Sequence, residues 1–189
     1  RSCKDAFLGY VPDETKFDYV IMSPGVSPEL EFVKKAEQAG AEVIGELELA
    51  YRLCKGIFVA ITGTNGKTTT TSLVGEIFER SKRRTSVVGN IGKAVIGAAL
   101  EATKDDWLVT EASSFQLETT REFRPLVSAI LNLTPDHLNR HHTMEAYGAA
   151  KAKIFANQNK EQYLIINYDD KLCFDLAKDA ECTVVPFSR

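Results

Sequence analysis

The sequence has few of the features that mark secreted, membrane-spanning or nucleic-acid-binding proteins. Its 4 cysteines are scattered over 189 residues without a Cys-x-x-Cys pair, which favours reduced thiols in a cytoplasmic protein. The longest apolar runs fall far short of the roughly 20 residues that cross a bilayer. With 23 basic and 26 acidic side chains, the net charge of −3 provides no positive field for a polyanion. We therefore expect neither a membrane span nor a nucleic-acid partner.

The remaining composition is that of a globular chain, with 44% hydrophobic and 26% charged residues. At roughly 100–200 residues per domain, the length predicts one domain, or one domain and part of another. The first residue is Arg1, so we expect the sequence to begin inside a longer protein.

Strand-like apolar runs alternate with amphipathic helical runs, which is typical of an α/β fold with a mostly parallel sheet covered by helices. We place a domain boundary between residues 54 and 55. Acidic side chains outnumber basic ones before this point, whereas the two signs nearly balance after it. Predicted strands cover residues 17–22, 41–44, 57–61, 85–88, 107–110, 127–131, 163–166 and 183–185. Predicted helices cover residues 28–39, 46–54, 67–80, 93–100, 144–155 and 172–177.

Two of these helices lead to specific expectations about capping and burial. Ser27 is expected to be the N-cap of the first helix, with Pro28 at its first position, and that helix should bury Leu30, Val33 and Ala36. The third helix should bury Leu73, Val74, Ile77 and Phe78 on one face. The residues Thr69, Thr70 and Thr71 are favoured as helix-packing residues over ligands.

The strongest chemical signal is the segment Gly63-Thr64-Asn65-Gly66-Lys67-Thr68, between a predicted strand and a predicted helix. Triphosphate binding requires backbone N–H groups that converge on anionic oxygens, and glycines permit the tight turn. Lys67 adds a mobile cation for the terminal phosphates, and the Thr68 hydroxyl can ligate Mg²⁺. The general P-loop pattern has a glycine where this chain has Ile61. A hairpin turn at Asn65-Gly66 is the alternative, but the residues that follow are helix-like.

Further polar residues follow two other predicted strands. Glu111 is placed at the carboxyl edge of the sheet, where open α/β sheets bind ligands, so it is either a second Mg²⁺ ligand or a solvated strand end. All three histidines lie within residues 132–142, with a spacing that matches no ordinary zinc site. An incidental histidine run in a surface loop is the alternative. Lys151 and Lys153 lie on the next helix, where most lysines are solvated.

Four segments of this chain together resemble the Mur ligase family of peptidoglycan synthesis. They are Gly63-Thr64-Asn65-Gly66-Lys67-Thr68, Glu111-Ala112-Ser113-Ser114-Phe115-Gln116-Leu117-Glu118, Asn132-Leu133-Thr134-Pro135-Asp136-His137-Leu138 and Tyr147-Gly148-Ala149-Ala150-Lys151. The second segment is similar to the branch that adds D-glutamate. Related folylpolyglutamate synthases read Gly-Lys-Gly-Ser where this chain has Gly66-Lys67-Thr68-Thr69. The resemblance implies that residues 1–54 are the C-terminal part of a Rossmann-like UDP-substrate-binding domain. Residues 55–189 would then be an incomplete, P-loop-type central ATP-binding domain.

The resemblance also implies an activity and a set of functional residues. The activity is ATP-dependent amide formation between D-glutamate and UDP-N-acetylmuramoyl-L-alanine, through an acyl phosphate. The implied ATP contacts are Gly63, Thr64, Asn65, Gly66, Lys67, Thr68 and Thr69. The implied ligands of two Mg²⁺ ions are Thr68, Glu111, His137 and a carbamylated Lys151. The implied substrate contacts are Ser23, Pro24, Gly25, Asn90, Ser113 and Gln116, and the implied catalytic residues are Lys67, His137 and Lys151.

Contacts to adenine and to D-glutamate are expected beyond Arg189, so we expect this chain alone to be inactive. A monomer is also expected. The alternative function is a nucleotide-binding regulatory module or a simple P-loop phosphotransferase without amide formation. The stretch 113–118 and Lys151 favour the ligase, because a simple switch protein does not need them.

Overall fold

The structure is a computed structural model that describes residues 17–188. These residues form two sheets, one of two strands and one of six, and every strand pair is parallel. The predicted α/β class with mostly parallel sheets is confirmed. No helix within the described residues is both long and apolar enough to cross a membrane. Cys3 lies outside the described residues, and Cys54, Cys173 and Cys182 are free thiols.

The smaller sheet pairs β1 (Tyr19–Met22) with β2 (Glu42–Gly45), and helix α1 (Glu31–Gln38) connects the two strands. Its small core consists of Met22, Val33 and Val43. The predicted helix cap is wrong, because α1 begins only at Glu31, with Leu30 as its N-cap. Ser27 Oγ instead accepts a hydrogen bond from the Glu29 N–H at 3.2 Å, in the turn before the helix. Leu30 therefore lies outside the helix and is exposed rather than buried.

The larger sheet consists of β3 (Ile57–Thr62), β4 (Thr85–Gly89), β5 (Trp107–Glu111), β6 (Val127–Ile130), β7 (Tyr163–Asn167) and β8 (Thr183–Phe187). The strands lie side by side in the order β4-β5-β3-β6-β7-β8. The chain leaves β3 towards β4 on one side, and it leaves β6 towards β7 on the other. The carboxyl ends of β3 and β6 therefore flank a topological switch point, where parallel sheets form their ligand crevice.

The helices of the larger unit cover both faces of this sheet. They are α2 (Glu46–Leu53), α3 (Lys67–Arg80), α4 (Val95–Glu101), α5 (Ser114–Glu118), α6 (Leu138–His141), α7 (Met144–Ala152) and α8 (Lys171–Asp175), followed by a 3₁₀ turn at Leu176–Asp179. The bounds of α3 agree with the prediction. The sequence did not predict α5 and α6, because helices of one turn carry no apolar periodicity.

The buried face of α3 agrees only in part with the predicted one. Leu73 and Ile77 are 58% and 51% exposed, whereas Thr71 and Gly75 are buried. A Cβ atom built on Gly75 would collide with Cγ2 of Val87, so the helix lies very close to β4 at this point. Small side chains on the contact face permit this approach, and Leu73 and Ile77 face outwards. Val74 and Phe78 are half-buried against the core of the sheet, as predicted. Thr71 packs as expected, but Thr69 is exposed.

Helix α2 precedes the predicted boundary at 54/55, yet it packs on the larger sheet. Leu47 and Ala50 belong to the same core cluster as Phe58 of β3. The ring of Tyr51 meets the rings of Phe58 and Phe123 edge-on, with centroids 5.9 and 5.5 Å away. The position of the domain boundary stays a prediction.

Glu48 joins α2 to the segment that follows α5. Its buried carboxylate accepts hydrogen bonds from the backbone N–H groups of Arg121 (2.9 Å), Glu122 (3.0 Å) and Phe123 (3.1 Å). Nε of Arg52 donates a fourth bond at 2.8 Å. The buried Glu48 carboxylate therefore accepts four hydrogen bonds, which offset the cost of removing its charge from water.

Candidate functional site

The glycine-rich segment forms the loop between β3 and α3. Gly66 is the N-cap of α3 and has φ +80°, a left-handed conformation that a glycine adopts without strain. No side chain caps this helix. The hairpin alternative is wrong, because residues 67–80 are helical. Ile61, which replaces the usual glycine, lies buried within β3, so the turn begins later, at Gly63.

Residues after β6 hold this loop in place. Asn132 Oδ1 accepts a hydrogen bond from the Asn65 N–H at 2.8 Å, and its Nδ2 donates to the Asn65 carbonyl at 2.9 Å. Thr64 Oγ1 donates to the Thr134 carbonyl at 3.1 Å and accepts from the Thr134 N–H at 3.0 Å. Sequence reasoning named the loop but missed these supporting residues. The signal was available, because strands β3 and β6 are both buried apolar runs that end in polar segments.

Two lysine ammonium groups meet at one carbonyl oxygen of the loop. Lys67 Nζ donates to the Gly63 carbonyl at 3.1 Å and to the Thr64 carbonyl at 2.9 Å. Lys151 Nζ donates to the same Gly63 carbonyl at 2.8 Å, and it lies 4.6 Å from the centre of the Tyr147 ring. Lys151 is only 1% exposed. Burial, helped by the nearby charge of Lys67, lowers the pKa of Lys151 to about 7.

The Thr68 hydroxyl and the Glu111 carboxylate are in direct contact at the carboxyl edge of the sheet. Thr68 Oγ1 donates to Glu111 Oε2 at 2.8 Å, and Asn90 Nδ2 donates to Glu111 Oε1 at 2.9 Å. Glu111 is 1% exposed, which excludes the alternative of a solvated strand-end side chain. Three predicted site residues, from three different connections, therefore share one cluster.

The structure gives Ser113 and Gln116 a local role. Ser113 Oγ accepts a hydrogen bond from the Gln116 N–H at 3.2 Å, while Gln116 Oε1 accepts from the Ser113 N–H at 3.0 Å. This reciprocal pair is a capping box at the start of α5. Both residues were predicted to bind substrate, and that role stays a prediction. The predicted substrate turn Ser23-Pro24-Gly25 directly follows β1, and the Val26 N–H donates to the Ser23 carbonyl at 2.9 Å.

His137 and Lys151, predicted to share a metal, are not in direct contact in the structure. The side chain of His137 is 48% exposed, and its Nε2 lies 3.5 Å from Asp136 Oδ2. Its ring centre lies 6.4 Å from that of Tyr147, and Lys151 Nζ lies 4.6 Å from the same Tyr147 ring centre. His137 has φ +51°, which is unusual for a residue other than glycine.

His141, for which the sequence indicated no role, is buried. Its Nε2 lies 2.9 Å from Ser114 Oγ, and its Nδ1 lies 3.3 Å from Glu118 Oε1. Burial lowers the pKa of this imidazole. The interpretation of the histidines as an incidental surface run is therefore wrong for His141.

The residues at the carboxyl edge of the larger sheet fit a nucleoside triphosphate with Mg²⁺. The first N–H groups of any helix lack intrahelical acceptors, and those of α3 lie beside a mobile lysine. A hydroxyl and a carboxylate are the hard oxygen ligands that Mg²⁺ prefers. Within residues 17–188, no three His, Cys, Asp or Glu side chains form a cluster able to hold a metal. Phosphate oxygens would have to complete the coordination, as is usual for Mg²⁺ in nucleotide sites.

Comparison with known proteins identifies the family of this chain. Residues 61–189 match the family described as the Mur ligase middle domain. The chain belongs to the Mur ligase family. The family resemblance inferred from the four sequence segments is thereby confirmed.

Several relatives named UDP-N-acetylmuramoylalanine--D-glutamate ligase are similar to this Mur ligase chain. The protein from Alkaliphilus oremlandii is 60% identical over 172 residues, which is 91% of this chain and 38% of its own length. The protein from Caldanaerobacter subterraneus subsp. tengcongensis is 56% identical over the same shares of both chains. The protein from Clostridioides difficile is 55% identical over 184 residues, or 96% of this chain and 41% of its own. The chain thus spans about two fifths of the length of these relatives.

Solved structures show the same fold at low identity. A UDP-N-acetylmuramoyl-L-alanyl-D-glutamate--2,6-diaminopimelate ligase has a TM-score of 0.60 and 22% identity, covering 97% of this chain and 50% of its own. A UDP-N-acetylmuramate:L-alanyl-gamma-D-glutamyl-meso-diaminopimelate ligase from Neisseria meningitides has a TM-score of 0.64 and 17% identity, covering 90% and 58%. The fold of this Mur ligase chain is therefore shared with ligases named for different amino-acid substrates.

Proposed function

We propose that this chain is the nucleotide-binding part of an ATP-dependent ligase that joins D-glutamate to UDP-N-acetylmuramoyl-L-alanine. The observation that carries the proposal is the Thr68–Glu111 hydrogen bond of 2.8 Å beside the glycine loop. This hydrogen bond places a hydroxyl and a carboxylate, two oxygen ligands suited to Mg²⁺, beside the first N–H groups of α3, which are suited to phosphate. ATP use throughout the Mur ligase family, and relatives 55–60% identical that carry this ligase name, support the same activity.

In this proposal the loop binds the phosphates of ATP. Lys67 exchanges the carbonyl oxygens of Gly63 and Thr64 for phosphate oxygens, which offer a full negative charge. Thr68 and Glu111 would hold Mg²⁺, and we assign a second ion to His137 and Lys151. Mg²⁺, when bound, supplies positive charge that lowers the repulsion between a carboxylate and the phosphates.

The chemistry proceeds in two steps. The terminal carboxylate of the UDP-linked substrate attacks the γ-phosphorus of ATP, the bond from that phosphorus to the bridging oxygen breaks, and ADP leaves. The amine of D-glutamate then attacks the carbonyl of the acyl phosphate, forming the amide and releasing phosphate and a proton. Lys67 stabilises the charge on the transferred group in the first step. We assign contacts with the UDP-linked substrate to Ser23, Pro24, Gly25, Asn90, Ser113 and Gln116.

Lys151 is suited to carbamylation in this proposal. A pKa of about 7 leaves much of the amine neutral near neutral pH, and only the neutral amine attacks CO₂. The nitrogen bonds to the carbon of CO₂ and loses a proton, so a repelling ammonium becomes an anionic oxygen ligand. A carbamate is a hard donor of the type that Mg²⁺ prefers.

Substitution of the loop lysine tests the function. Lys67→Ala should weaken Mg²⁺-ATP binding to the full-length protein by about 10- to 100-fold, because a charge-assisted hydrogen bond to phosphate contributes about 1.5–3 kcal/mol. Isothermal titration calorimetry measures the change. Lys104→Ala, which removes an exposed lysine far from the loop, is the matched control.

The reaction itself is tested in the full-length protein. ADP release should require UDP-N-acetylmuramoyl-L-alanine and D-glutamate together, and Lys67→Ala should abolish it. Unchanged ATP affinity in Lys67→Ala, or ADP release that ignores both substrates, would contradict the proposal. The second result would instead favour a simple phosphotransferase or switch.

A further inference from the structure

We infer that Arg140 is a positioning residue that couples the substrate turn after β1 to the nucleotide loop after β3. The inference rests on the proposed function, since it assigns the Ser23-Pro24-Gly25 turn to the UDP-linked substrate. Arg140 lies on α6, and its side chain is 19% exposed. Its Nη2 donates to the carbonyl of Val26, the residue whose N–H closes the substrate turn on the Ser23 carbonyl, at 3.2 Å.

The same guanidinium is fixed from the other side by α5. Nη2 of Arg140 donates to Glu118 Oε2 at 2.7 Å, and the guanidinium carbon lies 5.2 Å from the centre of the Phe115 ring. His141 approaches the second oxygen of Glu118 at 3.3 Å. Both oxygens of one carboxylate are therefore engaged by α6. Lysine lacks the planar group that lies over the Phe115 ring and is a shorter side chain, so we expect it to keep these contacts poorly.

Helix α6 is held in a conformation that its own sequence does not favour. His137 before it and His142 after it have φ +51° and +65°, and neither is a glycine. Such residues cost on the order of 1–3 kcal/mol each and persist only where the surroundings fix them. The bonds of Arg140 and His141 to α5 supply that constraint. The orientation of α6 therefore depends on these contacts.

The segment just before α6 reaches the nucleotide loop. Thr134 exchanges two hydrogen bonds with Thr64, at 3.0 and 3.1 Å. A continuous path thus runs from the substrate turn through Arg140 and residues 134–140 to the loop that carries Lys67. A shift of either end is transmitted through a segment of only seven residues.

Other contacts also join the two units. A cavity of about 290 Å³ lies between them, lined by Val43 from the smaller unit and by Glu118 and Arg121 from the larger. Arg121 also crosses between the units: its side chain donates to the Val43 carbonyl at 3.2 Å and to Glu37 at 3.2 Å. Arg121 is thus a second arginine that bridges the units, and its side-chain hydrogen bonds are to β2 and α1 of the smaller unit rather than to α5 and the substrate turn.

This pair of arginines allows a controlled test by calorimetry on the full-length protein. In the wild-type protein, saturating UDP-N-acetylmuramoyl-L-alanine should tighten the binding of Mg²⁺-ADP at least about fivefold, and the nucleotide should tighten the binding of the UDP compound equally. Arg140→Lys should reduce this factor to near one while the affinity for Mg²⁺-ADP alone stays within about twofold. Arg121→Lys should keep the coupling factor.

The outcomes separate this inference from the proposed function. If the full-length wild-type protein binds neither compound, the proposed function fails and the inference fails with it. If both compounds bind and coupling is absent, or if coupling survives in Arg140→Lys, only the inference is overturned. Equal loss of coupling in both arginine variants, with equal lowering of the melting temperature, would identify Arg140 as a structural contact alone and would also overturn it.

Discussion

At the scale of single residues, Lys151 is the most unusual group in the molecule. It is a buried amine with a pKa of about 7, against an ordinary value of 10.5. Between these two pH values the unfolded chain binds a proton that the folded chain has released. Raising the pH therefore favours the folded state, and below pH 7 both states carry the proton. The cost of burying this charge is thus largest at and below neutral pH.

Comparison of the wild-type chain with Lys151→Met makes this cost measurable. In CO₂-free buffer, the free energy of unfolding of the wild type, relative to the variant, should rise from pH 7 to pH 10. Its slope should approach about 1.4 kcal/mol per pH unit. Urea denaturation at one-unit pH intervals gives the values. Lys104→Met, at an exposed site, should show no slope, and a flat difference for Lys151→Met would refute the assigned burial cost.

The sequence predicted most individual groups of the candidate site but few of their partners. Lys67, Thr68 and Glu111 are recognisable because loop and strand-end positions fix where such side chains point. Asn132 and Tyr147 are not, since their roles depend on strand β6 and helix α7 lying beside the loop. The burial of Lys151 was likewise invisible, because a lysine among alanines on a helix is equally compatible with a solvated face.

At the scale of elements, α3 shows how a sequence pattern can mislead. All four of its larger apolar residues were expected to face the sheet. Val74 and Phe78 do so, but Leu73 and Ile77 are exposed, and a glycine and a threonine are buried instead. The choice depends on the distance between the helix and β4, and that distance is a property of the packed pair. Apolar periodicity alone assigns the face to the largest residues and therefore fails where a close approach selects small ones.

Two helical glycines allow this packing to be tested directly. Alanine normally stabilises a helix interior by about 0.5–1 kcal/mol relative to glycine. Gly97→Ala on α4 should follow that rule, because a Cβ there meets open space. Gly75→Ala should instead lower the free energy of unfolding by about 1–3 kcal/mol, since its Cβ collides with Val87.

Thermal and urea unfolding of both variants provide the measurement. In the double variant Gly75→Ala/Val87→Ala, the truncated valine should no longer clash with the new Cβ atom. Val87→Ala should therefore lower the free energy of unfolding less when Gly75→Ala is present than it does in the wild type. Stabilisation by Gly75→Ala equal to that by Gly97→Ala would show that α3 does not lie close to β4.

At the scale of the whole molecule, the alternation of strands and helices predicts parallel strands but not their order. The order places the ends of β3 and β6 side by side, and this neighbourhood creates the crevice. Which strand becomes a neighbour is decided by contacts far apart in the sequence. Glu48 provides one such contact, joining α2 to backbone N–H groups more than 70 residues away.

Removal of the Glu48 carboxylate should destabilise the whole fold. Glu48→Ala leaves three N–H groups and Arg52 without their acceptor, and it should lower the free energy of unfolding by about 3 kcal/mol. Fluorescence of the single tryptophan, Trp107, together with circular dichroism monitors the transition. Glu76→Ala removes an exposed partner of Arg80 and should cost at most about 0.5 kcal/mol. Equal losses would contradict the role of Glu48.

The oxygen shared by the two ammonium groups has a consequence for every experiment on either lysine. A carbonyl has two lone pairs, and Gly63 already directs one towards Lys67 and the other towards Lys151. If one lysine is truncated, the other no longer shares the Gly63 carbonyl oxygen and no longer has a positive charge beside it. The effects of substituting Lys67 and Lys151 are therefore not independent, and neither can be assigned to one side chain without the double variant.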